Sequence, residues 1–303
     1  MTKDEIFNNC LKELENSRFN TILKSKTYLQ SAYSNKKILN LANKLGELNI
    51  EFAKTDSNGI YEEIKKTKIE LITALGENGY DINKIIPKFN CEKCQDKGIL
   101  NDNKICDCLK KMYLENLLTY SQINLINQPI LDKIDLTKYF DMDDKAFLIN
   151  ALKKFENNQT KINTILFTGE TGTGKTYIAK SFLKTLILQN KLGLFYDINS
   201  LNQQFLNAHL DFEARDKILY DIYNCDVLII DDLGSENTFK NVTREYLLTI
   251  LNDRQSKNKI TLFTTNLTLN DIKTKYTERF FSRLMDKEIS LKFNFIGKDL
   301  RLS

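Results

Sequence analysis

Gly169-Glu170-Thr171-Gly172-Thr173-Gly174-Lys175-Thr176 fits the phosphate-binding pattern G-x-x-x-x-G-K-[ST] at every fixed position. Glycines at those positions let several backbone N–H groups turn inward onto one anion. The helix that follows adds its own free N–H groups and the positive end of its dipole. In that frame Lys175 reaches the β- and γ-phosphates of a nucleoside triphosphate and Thr176 ligates Mg²⁺. An apolar β-type run, Ile162 to Phe167, enters the loop, and a helix-compatible run beginning at Tyr177 leaves it. Gly169 to Tyr177 are therefore the candidate nucleotide-binding residues.

A second acidic element follows. Val227-Leu228-Ile229-Ile230-Asp231-Asp232 is an apolar strand ending in two carboxylates. Asp231 is placed to hold Mg²⁺ and Asp232 to orient the attacking water. Two adjacent carboxylates are tolerable beside a cation that offsets their repulsion. The strand Ile260–Thr265 ends at Asn266, whose amide can hydrogen-bond the γ-phosphate or its water. Arg279 and Arg283 are four apart on one helix face, and an arginine beside a phosphoryl group stabilises transition-state charge.

A different chemistry is suggested by Cys91-Glu92-Lys93-Cys94 and Cys106-Asp107-Cys108, which together hold four of the six cysteines. Two thiolates from each pair complete a tetrahedral Cys₄ site, with Gly98 where an intervening hairpin would turn. A stretch this short buries little core, so bound metal would supply its folding energy. Structural zinc is the expectation. A redox C-x-x-C lacks a thioredoxin-like surround, and catalytic zinc would need an open position. Cys10 and Cys225 read as ordinary buried thiols.

The elements that must position these groups fall into four segments. Residues 1–88 carry apolar residues at helical spacing and predict a small helical, partner-binding domain. Residues 89–111 form the zinc-knuckle-like segment, 112–144 a linker, and 145–303 the nucleotide domain. In the last, strand candidates Ile162–Phe167, Leu192–Ile198, Val227–Ile230, Ile260–Thr265 and Glu288–Phe293 alternate with helical segments, which implies an α/β fold with a parallel sheet flanked by helices. The charge balance of 44 basic against 40 acidic side chains gives +4, weak evidence for a polyanionic partner. The chain opens without an apolar leader, and no run approaches the roughly 20 apolar residues of a membrane span. A cytoplasmic protein with no membrane partner is expected. Lys240 and Arg244 are candidate DNA contacts, but their side chains read first as a solvated face.

The sequence 169–176, with Leu228 to Glu236, Thr264-Thr265-Asn266, Ser282-Arg283-Leu284 and Gly297-Lys298-Asp299-Leu300-Arg301, resembles the AAA+ ATPases of the DnaC/DnaI/IstB group. The Asp-Asp-Leu-Gly-x-Glu form and the cysteine cluster ahead of it are most similar to DnaI-type bacterial helicase loaders. The resemblance implies a P-loop AAA+ sheet with ATP at subunit interfaces. Asn266 is then the γ-phosphate sensor, Arg283 the arginine finger reaching a neighbour's ATP, and Arg301 a second, nucleotide-contacting sensor. ATP, Mg²⁺ and Zn²⁺ are the implied cofactors. The implied partners are a DnaB-type hexameric replicative helicase, single-stranded DNA and further copies of the chain. The expected function is ATP-dependent loading of that helicase onto single-stranded DNA during replication initiation. An IstB-like transposition ATPase and a nucleotide-gated DNA-binding module with little hydrolysis are the alternatives. A small-molecule kinase would need an acceptor lid, for which there is no segment.

Overall fold

The computed structural model describes residues 1–139, 148–149, 161–213, 215–239 and 242–295. Two compact units are present: Asn8–Lys111, and Met1–Phe7 together with Met112–Ser303. Helices α1 (Lys3–Ala32), α2 (Lys36–Thr55), α3 (Asn58–Glu77), the single turn α4 (Ile82–Ile85) and α5 (Asp107–Tyr120) come first.

In the first unit, helix starts and stops follow local chemistry. The Asn35 side chain accepts from the N–H groups of Lys37 and Ile38 and so caps α2. Asp56, in the left-handed conformation, ends that helix. Ala32, Ile38, Ala74 and Leu75 are buried together, with Leu41, Leu71 and Tyr80 packed around them. Tyr80 also stacks edge-on with Tyr28 at 6.0 Å. Residues 112–120 continue α5, and the chain then passes through turns and two 3-10 turns, Leu131–Lys133 and Leu136–Lys138.

The second unit is an α/β layer structure. Strands β1 (Thr164–Gly169), β2 (Gly193–Asp197), β3 (Val227–Asp231), β4 (Ile260–Thr265) and β5 (Ser290–Phe295) form one parallel sheet in the order β2-β3-β4-β1-β5. This is the parallel sheet flanked by helices expected from the sequence. Helices α6 (Lys175–Leu188), α7 (Ile198–Leu210), α8 (Arg215–Asn224), α9 (Thr243–Ser256), α10 (Leu269–Lys275) and α11 (Glu278–Leu284) flank it. Every residue of β3 and β4 is buried, as strands covered on both faces require. Edge strand β5 instead alternates in burial.

Strand ends differ from the sequence reading in every strand but β4: β1 starts two residues later, at Thr164, β2 is one residue shorter at each end, and β3 takes in Asp231. β1 runs on through Thr168 to Gly169, and β5 is displaced to Ser290–Phe295. The displacement has a local cause. The Asp286 side chain accepts from the Glu288 N–H at 3.0 Å and its carbonyl from the Ser290 N–H at 2.8 Å, so Asp286 to Ile289 are a turn.

Among the described residues Arg254 on α9 is the largest fully buried side chain, with no exposed surface. Its guanidinium donates to Thr261 Oγ1 and to the carbonyls of Ile222 and Cys225 at 2.9 Å each, and to the Ile260 carbonyl at 2.6 Å. Buried Cys225 lies beside it, its Sγ 3.3 Å from the guanidinium. A single side chain thus ties the end of α8 to β4. Arg254→Met is expected to strand those carbonyls and cost about 3 kcal/mol, a fall in Tm on the order of 10 °C. A thermal melt with unchanged Tm would refute the tie. Among the described residues, no helix is long and apolar enough to cross a membrane.

Candidate functional site

The carboxyl ends of β1, β3 and β4 converge on one cavity of about 820 Å³. Its wall includes Thr171, Gly172, Gly174, Lys175, Thr176, Tyr177, Asp231, Asp232 and Asn266. A crevice at the carboxyl ends of parallel strands is where such sheets bind ligands. Gly174 caps α6 at φ 93°, a conformation open to glycine. Gly169 passes the backbone of β5 so closely that a Cβ would lie 2.6 Å from the Phe295 carbonyl oxygen. Gly169 thus closes β1 directly against its parallel neighbour β5, opposite Phe295.

Lys175 is buried, and its ammonium donates to the carbonyls of Gly169 at 2.8 Å and Glu170 at 2.7 Å. The loop thus encloses the lysine with its own acceptors. Thr176 Oγ1 lies 3.0 Å from both carboxylate oxygens of Asp231. Thr264 donates to Asp231 at 2.6 Å and accepts from the Asp232 N–H at 2.9 Å. Burial pushes the Asp231 carboxyl above its ordinary range, and Asp232 adds to the push, while the Thr264 and Thr176 hydroxyls pull the other way. Asn266 Nδ2 donates to Asp232 Oδ1 at 3.0 Å. Asp232 itself sits at φ 57°, a left-handed conformation that turns its side chain out of the strand pleat. The donors at this end are all oxygens, namely the Thr176 hydroxyl and the two carboxylates. Such a set suits a small hard cation such as Mg²⁺.

Four cavity residues were not anticipated: Gln128, Tyr139, Lys180 and Thr264. Lys180 is one helical turn beyond Thr176, and Thr264 shares the strand face of Asn266, so periodicity could have found both. Gln128 and Tyr139 carry no such signal. Tyr139 stacks on Tyr177 at 6.2 Å and 23°, and Gln128 donates to the Tyr177 carbonyl at 2.9 Å and Ser181 Oγ at 2.6 Å. Glu170 is exposed and Thr173 buried, its hydroxyl donating to the Glu170 carbonyl at 2.8 Å. Arg279 and Arg283 are exposed on α11 and do not line the cavity of their own chain. Arg244 is exposed as well, whereas Lys240 and Arg301 lie outside the described residues.

In the unit Asn8–Lys111, Cys91, Cys94, Cys106 and Cys108 bring their sulfurs within 4.8 Å of one another. Cys91 and Cys106 are 3.7 Å apart, and Cys94 and Cys108 3.4 Å. A tetrahedron with metal–sulfur bonds of about 2.3 Å has edges of about 3.8 Å, so the donor set fits zinc. A hydrogen bond from the Cys94 backbone lowers the Cys91 thiol to about 7, and burial raises that of Cys108. The hairpin between the pairs closes through an antiparallel bridge, Ile99 to Ile105, and the Cys106 N–H bonds the Gly98 carbonyl at 2.9 Å. Its turn is at Asn101 to Asn103. Gly98 stands at the base instead, at φ 73°, where Leu109 and Leu14 leave a Cβ only 3.1 Å. Fully buried Asp96 orders the first knuckle by accepting from the N–H groups of Asn90 at 3.0 Å and Cys91 at 2.7 Å.

The profile of a family described as IstB-like ATP binding protein matches residues 108–287. A replicative helicase loader DnaC from Buchnera aphidicola subsp. Acyrthosiphon pisum is 24% identical over 209 residues, 66% of this chain and 83% of the relative. Its counterpart from Escherichia coli strain K12 is 26% identical over 144 residues, 45% of this chain and 57% of the relative. The match thus spans little more than half the length of the Escherichia coli protein. A crystal structure of DnaI superposes with a TM-score of 0.47 at 22% identity, covering 56% of this chain and 92% of the other.

Proposed function

Since this chain belongs to the family of IstB-like ATP-binding proteins, we propose that it is an ATP-dependent loader of a hexameric, DnaB-type replicative helicase onto single-stranded DNA during replication initiation. It is an AAA+ ATPase, and its family implies the use of ATP and Mg²⁺. One observation carries the loader reading: both bacterial relatives are named replicative helicase loaders. The helical segment and four-cysteine knuckle ahead of the ATPase favour it over a transposition ATPase.

The geometry supports the roles we assign to the loop and the carboxylates, and the family resemblance supports that of Arg283. Loop N–H groups and Lys175 hold the β- and γ-phosphates, and Tyr177 borders the nucleotide. Thr176 and Asp231 hold Mg²⁺, which supplies charge neutralisation on the phosphates when bound. Asp232 orients water for in-line attack on the γ-phosphorus, the β–γ bridging bond breaks, and ADP leaves with that bridging oxygen. The Asn266 amide is turned to Asp232. A γ-phosphate offers that amide a second acceptor, so Asn266 can report on the nucleotide and adjust Asp232 together. Arg283 serves the ATP of a neighbouring protomer, with Arg279 the weaker candidate. A head-to-tail contact of that kind builds rings or open spirals. The four cysteines hold one structural Zn²⁺, and the work is done in the cytoplasm.

The direct test is co-elution with the same organism's hexameric replicative helicase, with and without Mg-ATP. A complex that needs residues 1–110 supports loading. No complex under any nucleotide condition turns the reading to a transposition ATPase. Asp232→Asn separates a turning-over enzyme from a nucleotide-gated binder. It is expected to retain ATP binding while turnover falls on the order of 10²-fold. Equal turnover by the variant would remove Asp232 from the chemistry.

A further inference from the structure

Glu236 is a buried carboxylate, 3% exposed, that the ATP chemistry above does not use. Its two oxygens are divided between two parts of the domain. Oε2 accepts from the Gly234 N–H at 2.9 Å, inside the loop that leaves β3 through Asp232. Oε1 accepts from the Tyr276 hydroxyl at 2.6 Å, where α10 ends and α11 is about to begin. Lys275 lies 3.7 Å from the carboxylate, and its ammonium donates to the carbonyls of Gly234 and Glu236.

Each end of this clamp holds something the reaction needs. On one side the loop follows an uncommon path, with Asp232 at φ 57° and Gly234 at φ 109°. A Cβ at Gly234 would come within 2.4 Å of Leu267, so the path is fixed sterically as well. On the other side the Tyr276 ring packs on Phe280 at 5.2 Å, and Phe280 packs edge-on against Phe263 of β4 at 5.9 Å. Phe280 lies on α11 between Arg279 and Arg283. Two hydrogen bonds and one ring contact therefore span the whole distance from the Asp232 loop to the arginine-bearing helix. Purely for stability, apolar side chains of similar volume serve about as well as a buried charge. A carboxylate bonded at both oxygens instead fixes the geometry of the two elements against each other.

We infer that Glu236 is a positioning residue that joins the Asp232 loop to α11, so that a displacement at the nucleotide is carried to Arg283 and a displacement at Arg283 to the nucleotide. This rests on the reading of Asp232 and Arg283 given above. The link acts on the rate of the chemical step rather than on nucleotide affinity, because Glu236 does not line the cavity.

The test is ATP turnover of the full chain under conditions where the unaltered protein hydrolyses, alongside titration with a fluorescent ATP analogue. Glu236→Ala is expected to leave the analogue's Kd within about threefold and to lower kcat on the order of 10²-fold, the size of effect that misplacement of a reacting group produces. Glu236→Gln keeps the shape and one acceptor, and should recover part of that loss. Tyr276→Phe, which removes only the bond on the α11 side, should lower kcat several-fold and keeps the test open if Glu236→Ala does not fold. In a double-mutant cycle Glu236→Ala and Arg283→Ala should be strongly non-additive, since both interrupt one linkage. Unchanged kcat per bound nucleotide in Glu236→Gln and Tyr276→Phe, or additive losses in the cycle, would overturn the inference. Full turnover by Arg283→Ala alone would instead take down the arginine reading on which it stands.

Discussion

Lys175→Ala is expected to lower ATP turnover by 10²–10³ or more and to weaken nucleotide binding, with the fold kept. The size follows from where the ammonium sits. It is buried and held by the Gly169 and Glu170 carbonyls at 2.8 and 2.7 Å, so it waits inside the loop and needs no recruitment from solvent. An ammonium already stripped of most water interacts strongly with incoming phosphate oxygens. Removing it leaves only loop N–H groups and the dipole end of α6 to meet the charge of a triphosphate. The two carbonyls it vacates lie at the rim of an open cavity, where water can replace it, so Tm should move little. Turnover and nucleotide titration by the variant, with a thermal melt as control, check this. Normal turnover would show that the loop does not hold the substrate's phosphates.

The second large effect is expected from stripping metal with a strong chelator. One zinc per chain should be found by metal analysis before treatment and none after. Four thiols should then become reactive, because Cys91, Cys94, Cys106 and Cys108 would be the ligands, whereas Cys10 and Cys225 are buried within folded structure. The energy at stake is on the order of 10 kcal/mol or more. Besides the four sulfurs, the segment is held by one isolated bridge, the Asp96 bonds, a hydrogen bond from Arg18 to the Gln95 carbonyl at 2.8 Å, one from Asn90 to Ser17 at 3.1 Å, and the packing of Leu109 and Leu14 on Gly98, none of which spans the hairpin tip. The hairpin should therefore lose protection against hydrogen exchange. A metal-free chain whose Ile99 and Ile105 amides stay protected would contradict the zinc reading.

Much of the nucleotide cavity was legible because its residues are dictated by local rules. Backbone freedom at Gly174, a helix start after it and carboxylates at a strand's end are all properties of short windows, and windows are what a sequence displays. The β4 limits are likewise those its apolar run implies. What stayed hidden depends on distant parts of the chain meeting. Tyr139 reaches Tyr177 only through the turns after α5, and no spacing announces it. Glu236 stood in plain view in the Asp-Asp-Leu-Gly-Ser-Glu run, but its partner Tyr276 lies beyond β4. Arg254 would pass for a surface charge in any helical window, and only the carbonyls around it explain its burial. The start of β5 was misplaced because the turn made by Asp286 depends on side-chain bonding that an apolar pattern does not register.

The order of strands in the sheet also governs how this domain comes into being. β1 carries the phosphate loop and is the first strand of its domain to be synthesised, yet its neighbours are β4 and β5, the last two. While a ribosome is still making α7 to α9, β1 has no partner on either edge. Its run Ile165-Leu166-Phe167 is then an unpaired apolar segment in a nascent chain. Pairings this far apart along the chain are slow to form. The phosphate loop is consequently translated early and the pocket around it completed late, once β3 and β4 are in place, and newly made chains are expected to need shelter from a chaperone during that interval.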